Sequence, residues 1–155
     1  MGLDILESYE ICLDGRWTYI DLAADPVPSQ YMQRERWHPA ELHRNSAFFA
    51  ILARGGPYTL DPIACCRGIP EDASPEVRTR WQAVRDDPSI TAPSWVTLDE
   101  LLAFDWEQWL EDVDGYDPPV RCSEVTAPFS QRTLPYLVSR VEDPRHLRMV
   151  FWFGC

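Results

Sequence analysis

The chain contains no lysine: its fourteen basic residues are all arginine, set against twenty-five aspartates and glutamates for a formal charge of −11. A cation deficit of that size argues against general affinity for nucleic-acid backbones or anionic membrane surfaces, because both require basic clusters. Any macromolecular partner is therefore expected to present a basic surface. The arginine bias itself needs no functional cause, since a GC-rich coding genome produces it. Long apolar runs are also missing, so no stretch reads as a membrane span. Asp4 and Glu7 stand where a secretory signal needs basic residues, which makes the cytoplasm the expected location. Cys-x-x-Cys pairs are absent, and none of the three histidines lies near a cysteine at zinc-ligand spacing. The five cysteines lack the spacing of a disulfide framework and read as reduced thiols, with adjacent Cys65 and Cys66 expected to be buried. No metal or other cofactor is expected.

What is present is a core-forming composition, 45% apolar and 12% aromatic over 155 residues, enough for one globular domain spanning the whole chain. Ile5, Tyr9, Ile11 and Leu13 alternate with Asp4, Ser8, Glu10 and Cys12, the period of a strand with one buried face. Asp14-Gly15 suits a two-residue turn, and Arg16 to Ile20 reads as the returning strand of a hairpin. A long loop is expected over 24–38. A short helix then starts at Asn45 or Ser46 and carries Phe48, Phe49, Ile51 and Leu52 on one stripe. A proline-interrupted loop follows from Gly55 to Asp72. Ser74-Pro75-Glu76 combines a capping serine, a first-turn proline and an early acid, which predicts a helix to about Val84.

Thr97-Leu98-Asp99-Glu100 is a capping box, predicting a third helix that ends near Leu110, with Trp95 plugging the core beneath it. Val120 to Thr126 suggests a short strand, Leu134 to Val141 a helix with Pro135 in its first turn, and His146 to Phe153 a last strand. With no βαβ repeat, the order predicts an α+β fold. Its small antiparallel sheet combines the N-terminal hairpin with the C-terminal strand, packed with about four short helices and long proline-rich loops.

The densest charge feature runs from Asp99 to Asp117, where eight carboxylates occur without one basic residue. It is either a solvated helix face or a patch that steers a basic partner. In the second case Asp105, Glu107, Glu111, Asp112, Asp114 and Asp117 supply the charge, while Trp106 and Trp109 supply aromatic anchors. Asp112 to Asp117 only superficially resembles a calcium loop, because its glycine comes too early and no glutamate closes a twelve-residue loop. His38 and His43 read as an incidental pair around one turn. No nucleophile elbow, phosphate loop or dinucleotide fingerprint is present.

Four segments together carry a resemblance: Met1-Gly2-Leu3-Asp4-Ile5, Arg67-Gly68-Ile69-Pro70-Glu71-Asp72, Ser94-Trp95-Val96-Thr97-Leu98, and Arg148-Met149-Val150-Phe151-Trp152-Phe153. The chain resembles a family of small proteins common in bacteriophage genomes, whose members typically open Met-Gly-Cys-Asp-Ile-His and end in an apolar strand. Arg44-Asn45 and Arg67-Gly68 match that pattern at two loop-to-helix junctions, where arginine either binds an anion or ties loops together. Asp4 and Glu10 keep the polar face of the first strand, but Leu3 and Leu6 stand where the family has cysteine and histidine.

The resemblance thus implies a shared fold and weakens a histidine-dependent chemistry. It favours a non-enzymatic phage or prophage accessory protein that binds a host or phage protein through its acidic surface, with inhibition of a host defence system as a possible consequence. Two alternatives stand beside it. One is binding of a small anionic ligand such as a nucleotide by Asp4, Glu10, Arg44, Asn45, Arg67 and Trp95; the other is a metal-dependent hydrolase built on Asp4 and Glu10.

Overall fold

The computed structural model describes residues 4–25, 42, 45–53 and 58–155. The expected loop at 24–38 therefore lies mostly outside the described residues, together with Leu3, His38, His43, Arg44 and the Gly55-Gly56-Pro57 stop.

The chain is α+β. Strand β1 (Asp4–Leu13) turns through Asp14 and Gly15, both at positive φ, into β2 (Arg16–Ile20). Glycine at the second of those positions tolerates the left-handed backbone that a tight hairpin demands. Helix α1 (Ser46–Leu52) is capped by Asn45, whose Oδ1 accepts from Ala47 N at 2.8 Å. Helix α2 (Pro75–Val84) begins as expected, with Ser74 Oγ accepting from Val77 N.

Strand β3 (Ile90–Thr97) runs directly into helix α3 (Leu98–Ala103), which opens with the expected capping box. Two residues each form β4 (Trp109–Leu110) and β5 (Val120–Arg121), which pair antiparallel. A short helix α4 (Cys122–Val125) and a π-helical turn at Phe129–Thr133 lead into α5 (Leu134–Ser139), which carries Pro135 in its first turn. The last strand is β6 (Leu147–Gly154).

The main sheet has the order β2-β1-β6-β3, with each neighbouring pair antiparallel. Strand β6 therefore occupies an interior position, and all eight of its residues are buried. On one face Ile5, Tyr9 and Ile11 of β1 join Leu147, Met149, Phe151 and Phe153 of β6. They pack on Phe48 and Leu52 of α1, Leu98 and Leu101 of α3, Phe129, and Leu134 and Leu137 of α5. Each such side chain contributes roughly 1.5–3 kcal/mol through burial. The opposite face is covered by α2, where Val77 meets Val150 and Trp81 packs on Trp152 at 5.3 Å. One-sided burial of β1 is thus a correction: Ser8 and Glu10 are as buried as Tyr9 and Ile11 because α2 and its leading loop close the second face.

Three further expectations change. Helix α3 stops at Phe104, whose backbone is extended, and Trp109-Leu110 is strand rather than helix. Trp106 explains the stop, since its indole Nε1 donates to the Leu101 carbonyl at 2.8 Å and so occupies an acceptor at the helix end. The strand expected over Val120–Thr126 ends at Arg121 and becomes α4. Cys65 and Cys66 are exposed, the second at φ 53° in a turn that leads to Gly68. None of the helices formed by the described residues is long and apolar enough to cross a membrane.

Candidate functional site

Register builds the most polar feature of the α2 face. Pairing places Glu10 directly opposite Arg148 across β1 and β6, with Tyr19 opposite Glu10 on one side and Thr97 opposite Arg148 on the other. Directly opposed residues in an antiparallel sheet share a face, so the row Tyr19, Glu10, Arg148, Thr97 crosses all four strands. Trp17 lies two residues before Tyr19 on β2, and Trp95 two residues before Thr97 on β3. Both indoles therefore join this face, Trp95 diagonal to Arg148 on the neighbouring strand and Trp17 two strands away on the opposite edge.

The Arg148 guanidinium packs over the Trp17 ring at 4.0 Å and lies 5.7 Å from that of Trp95, while Arg67 covers Trp95 at 5.0 Å. Guanidinium and indole thus alternate in the order Trp17, Arg148, Trp95, Arg67. Such contacts contribute about 0.5–2 kcal/mol each, more as they lose water. These four side chains, with Asp72, Glu71 and neighbouring loop residues, line an open cleft of about 560 Å³.

Carboxylates hold both arginines. Arg148 Nε donates to Glu10 Oε1 at 2.8 Å, within a pair whose side chains are 3% and 0% exposed. Its Nη1 donates to Asp72 Oδ1 at 2.9 Å, and there the carboxylate is 67% exposed. Glu10 also accepts from Ser74 N at 2.6 Å, so the residue that caps α2 is anchored to β1. Desolvating two charges is offset only when their remaining donors and acceptors are met. One is not: Arg148 Nη2 is buried without a hydrogen-bond partner among the described residues. A buried donor left in that state costs about 1–3 kcal/mol.

Arg67 is committed at both ends of its fork. Its two terminal nitrogens donate to Glu100 at 2.7 and 2.9 Å and to the carbonyls of Ile63 and Trp95. The Arg67 guanidinium lowers the Glu100 carboxyl below the ordinary carboxylate range, and hydrogen bonds from Thr97 reinforce the effect. Ser94 Oγ accepts from Arg67 N and donates to the Ala64 carbonyl, pinning the preceding loop to β3. The loop-tying role of Arg67 is therefore the observed one. Taken together, Arg67 and Arg148 face Glu10, Glu71, Asp72 and Glu100, so two positive charges stand among four negative ones.

Of the residues the sequence nominates for a ligand, Arg67 and Trp95 line this cleft and Glu10 sits behind it. Trp95 is not under α3 as expected; it is half-buried on the opposite face, because Val96 takes the core position. Asp4 is on the same strand as Glu10 but six residues away, roughly 20 Å at strand rise. Asn45 is consumed by its cap and by donating to the Val125 carbonyl at 2.7 Å. Trp17, Asp72 and Arg148 are residues that sequence reasoning missed. An arginine inside the apolar run 147–153, with a glutamate of matching parity on the first strand, is the signal that points to a buried pair.

The nominated acidic residues occupy a second region. Asp105, Glu107, Trp109, Glu111, Asp114 and Asp117 are exposed. Asp112 is spent internally, its carboxylate accepting from the backbone amides of Asp114, Tyr116 and Asp117. Trp106 is not an exposed anchor, since it packs against Phe104 at 4.9 Å and Phe129 at 5.8 Å. The exposed apolar groups here are Trp109 at 48%, Val113 at 62% and Tyr116 at 87%. Arg121 lies over the Trp109 ring at 4.2 Å.

A different chemistry surrounds β1 near its start. Glu7 and Tyr9 border a smaller cavity of about 310 Å³, with Arg80 donating to Ser8 Oγ and to the Glu7 carbonyl. Burial pushes the Glu7 carboxyl up to about 8 and raises the Tyr9 phenol, whose hydroxyl is buried without a partner among the described residues. Among the described residues, no group of three or more histidine, cysteine, aspartate or glutamate side chains is placed to hold a metal ion. No family model, curated protein or solved structure matches the chain.

Proposed function

We propose that this chain is a non-enzymatic binding protein, a phage or prophage accessory factor that acts in the cytoplasm and docks on a host protein through its acidic 105–117 face. The observation that carries this reading is the exposure of Trp109, Val113 and Tyr116 among the carboxylates of that segment. Carboxylates accelerate encounter with a basic surface, and large apolar side chains then supply the desolvated anchors that give affinity. The sequence resemblance to phage proteins supplies the setting, and blocking a host defence protein is the action proposed for such a binder.

The alternatives have less support. An anionic ligand meets a cleft with more carboxylates than arginines, and a hydrolase on Asp4 and Glu10 would need a glutamate that Arg148 and Ser74 already occupy.

Capture from lysates of candidate bacterial hosts tests the docking reading. A stoichiometric partner is expected with the unaltered chain at low salt. It should be lost at about 0.5 M NaCl, where screening shortens to a few ångström, and lost in a Trp109→Ala/Tyr116→Ala variant. Absence of a stoichiometric partner from every host, or full retention by the variant, defeats it.

A further inference from the structure

We propose that the cleft between Trp17 and Trp95 is a binding site for an uncharged planar ring that carries a carbonyl group, of the size and chemistry of a guanine or thymine base. The site is separate from the acidic docking face. Three observations lead to this class of ligand.

The first is shape and surface. Both tryptophans are half-buried rather than sealed in the core, and they border an open volume of about 560 Å³, within the roughly 300–1,000 Å³ typical of small-molecule pockets. Indole faces stack flat π-systems with little dependence on their substituents, so a planar ring is the natural occupant.

The second is an unmet donor. Arg148 is held by Glu10 and by the Trp17 ring, yet its buried Nη2 has no acceptor among the described residues. Asp72, which meets the adjacent Nη1, is largely exposed and marks the solvent end of the guanidinium. A ring carbonyl entering beside Trp17 would supply the missing acceptor once a shift of the guanidinium uncovers Nη2. Guanine offers O6, and thymine O4, as a single carbonyl acceptor on the ring edge. Adenine has no carbonyl, and it presents an amino donor where guanine presents O6.

The third is charge. Arg67 and Arg148 are outnumbered by Glu10, Glu71, Asp72 and Glu100, so a phosphate group gains no net attraction on entering. The site should therefore prefer a nucleoside to its nucleotide, the reverse of phosphate-reading pockets.

The experiment uses the full chain and four probes: guanosine, thymidine, adenosine and guanosine 5′-monophosphate. Binding is read by equilibrium dialysis and by the indole N–H signals in NMR spectra. Guanosine and thymidine are expected to bind and to move the Trp17 and Trp95 signals, with adenosine and the monophosphate each weaker by about tenfold or more. Trp17→Ala should weaken guanosine by about tenfold or more, the scale of one lost stacking partner. Trp17→Phe should retain most of the affinity, which separates loss of stacking from loss of folding. Asp72→Asn should strengthen the monophosphate several-fold relative to guanosine, because one carboxylate of the cleft is gone. The proposal is overturned if no nucleoside perturbs either indole at millimolar concentration. Equal binding of adenosine and guanosine, tighter binding of the monophosphate, or unchanged affinity in Trp17→Ala would each overturn it as well.

Discussion

Single side chains in this molecule carry unusual electrostatic weight because three ionisable ones, Arg148, Glu10 and Glu7, are wholly or largely withdrawn from water. Arg148 and Glu10 are an interior pair, and removing one partner strands the other. Arg148→Met is expected to cost about 3–5 kcal/mol, read from the urea denaturation midpoint. Adding Glu10→Leu should recover much of that loss, although Ser74 N then loses its acceptor and some deficit remains. If the double variant is no more stable than Arg148→Met alone, the stranded carboxylate is not the source of the cost.

Glu7 behaves oppositely, being stabilised in its neutral form. Its carboxyl titrates near the ordinary 4.5 when unfolded and at about 8 in the folded chain. Below 4.5 it is protonated in both states and costs nothing. As the pH rises from there towards 8, only the unfolded state releases the proton, and stability falls by at most about 1.4 kcal/mol per pH unit. Above the folded value the loss is complete. Glu7→Gln should therefore be near neutral at about pH 4 and stabilising at about pH 8. Parallel profiles for variant and parent across that range would exclude the assignment.

At the scale of elements, the junction of β3 and α3 shows how one carboxylate can serve two structures. Glu100 accepts from Thr97 N and Oγ1 to close the capping box and also accepts from both terminal nitrogens of Arg67. Glu100→Gln keeps a capping acceptor but loses the charge opposite Arg67, whereas Glu100→Ala loses both. The expected order of stability is parent, then Gln, then Ala, with the Ala variant down by about 1–2 kcal/mol in denaturant titrations. The carboxyl is lowered in the folded state, so its contribution is present above the unfolded value of 4.5 and disappears as the pH falls through the folded one. An alanine variant as stable as the glutamine variant would show that the cap contributes nothing.

The same junction separates what was legible in the sequence from what was not. Hairpin β1–β2, the start of α2 and the capping box are set by local chemistry, through alternation, turn residues and caps, and these were readable. Strand β3 was not, because Pro93 and a break in register between Thr91 and Ser94, with Ala92 at φ 50°, erase the period-two pattern. The overlong α3 failed for a tertiary reason, the Trp106 indole reaching back to Leu101. The cleft was half visible: Arg67 and Trp95 stood in recognisable segments. Arg148 acquires its meaning only from the register that sets it opposite Glu10.

For the whole molecule, the question is whether the charge excess or the ion pairs control the response to salt. The excess amounts to eleven uncompensated negative charges, with eight carboxylates gathered between Asp99 and Asp117. Opposing it are surface pairs such as Arg145 with Asp143, worth little because water already screens them, and the Arg148–Glu10 pair, which is shielded from salt by burial. Repulsion should therefore dominate. Raising NaCl from about 0.01 M to 0.15 M shortens the screening length from about 30 Å to 8 Å, below the reach of repulsion across the acidic face. The melting temperature is expected to rise, by about 2–4 °C for each kcal/mol of repulsion relieved. An Asp114→Asn/Asp117→Asn variant should begin higher and gain less, since part of the repulsion is already gone. A melting temperature that falls with salt in the parent would mean that attractive pairs outweigh the excess. The acidic face would then have no electrostatic strain for a basic partner to relieve.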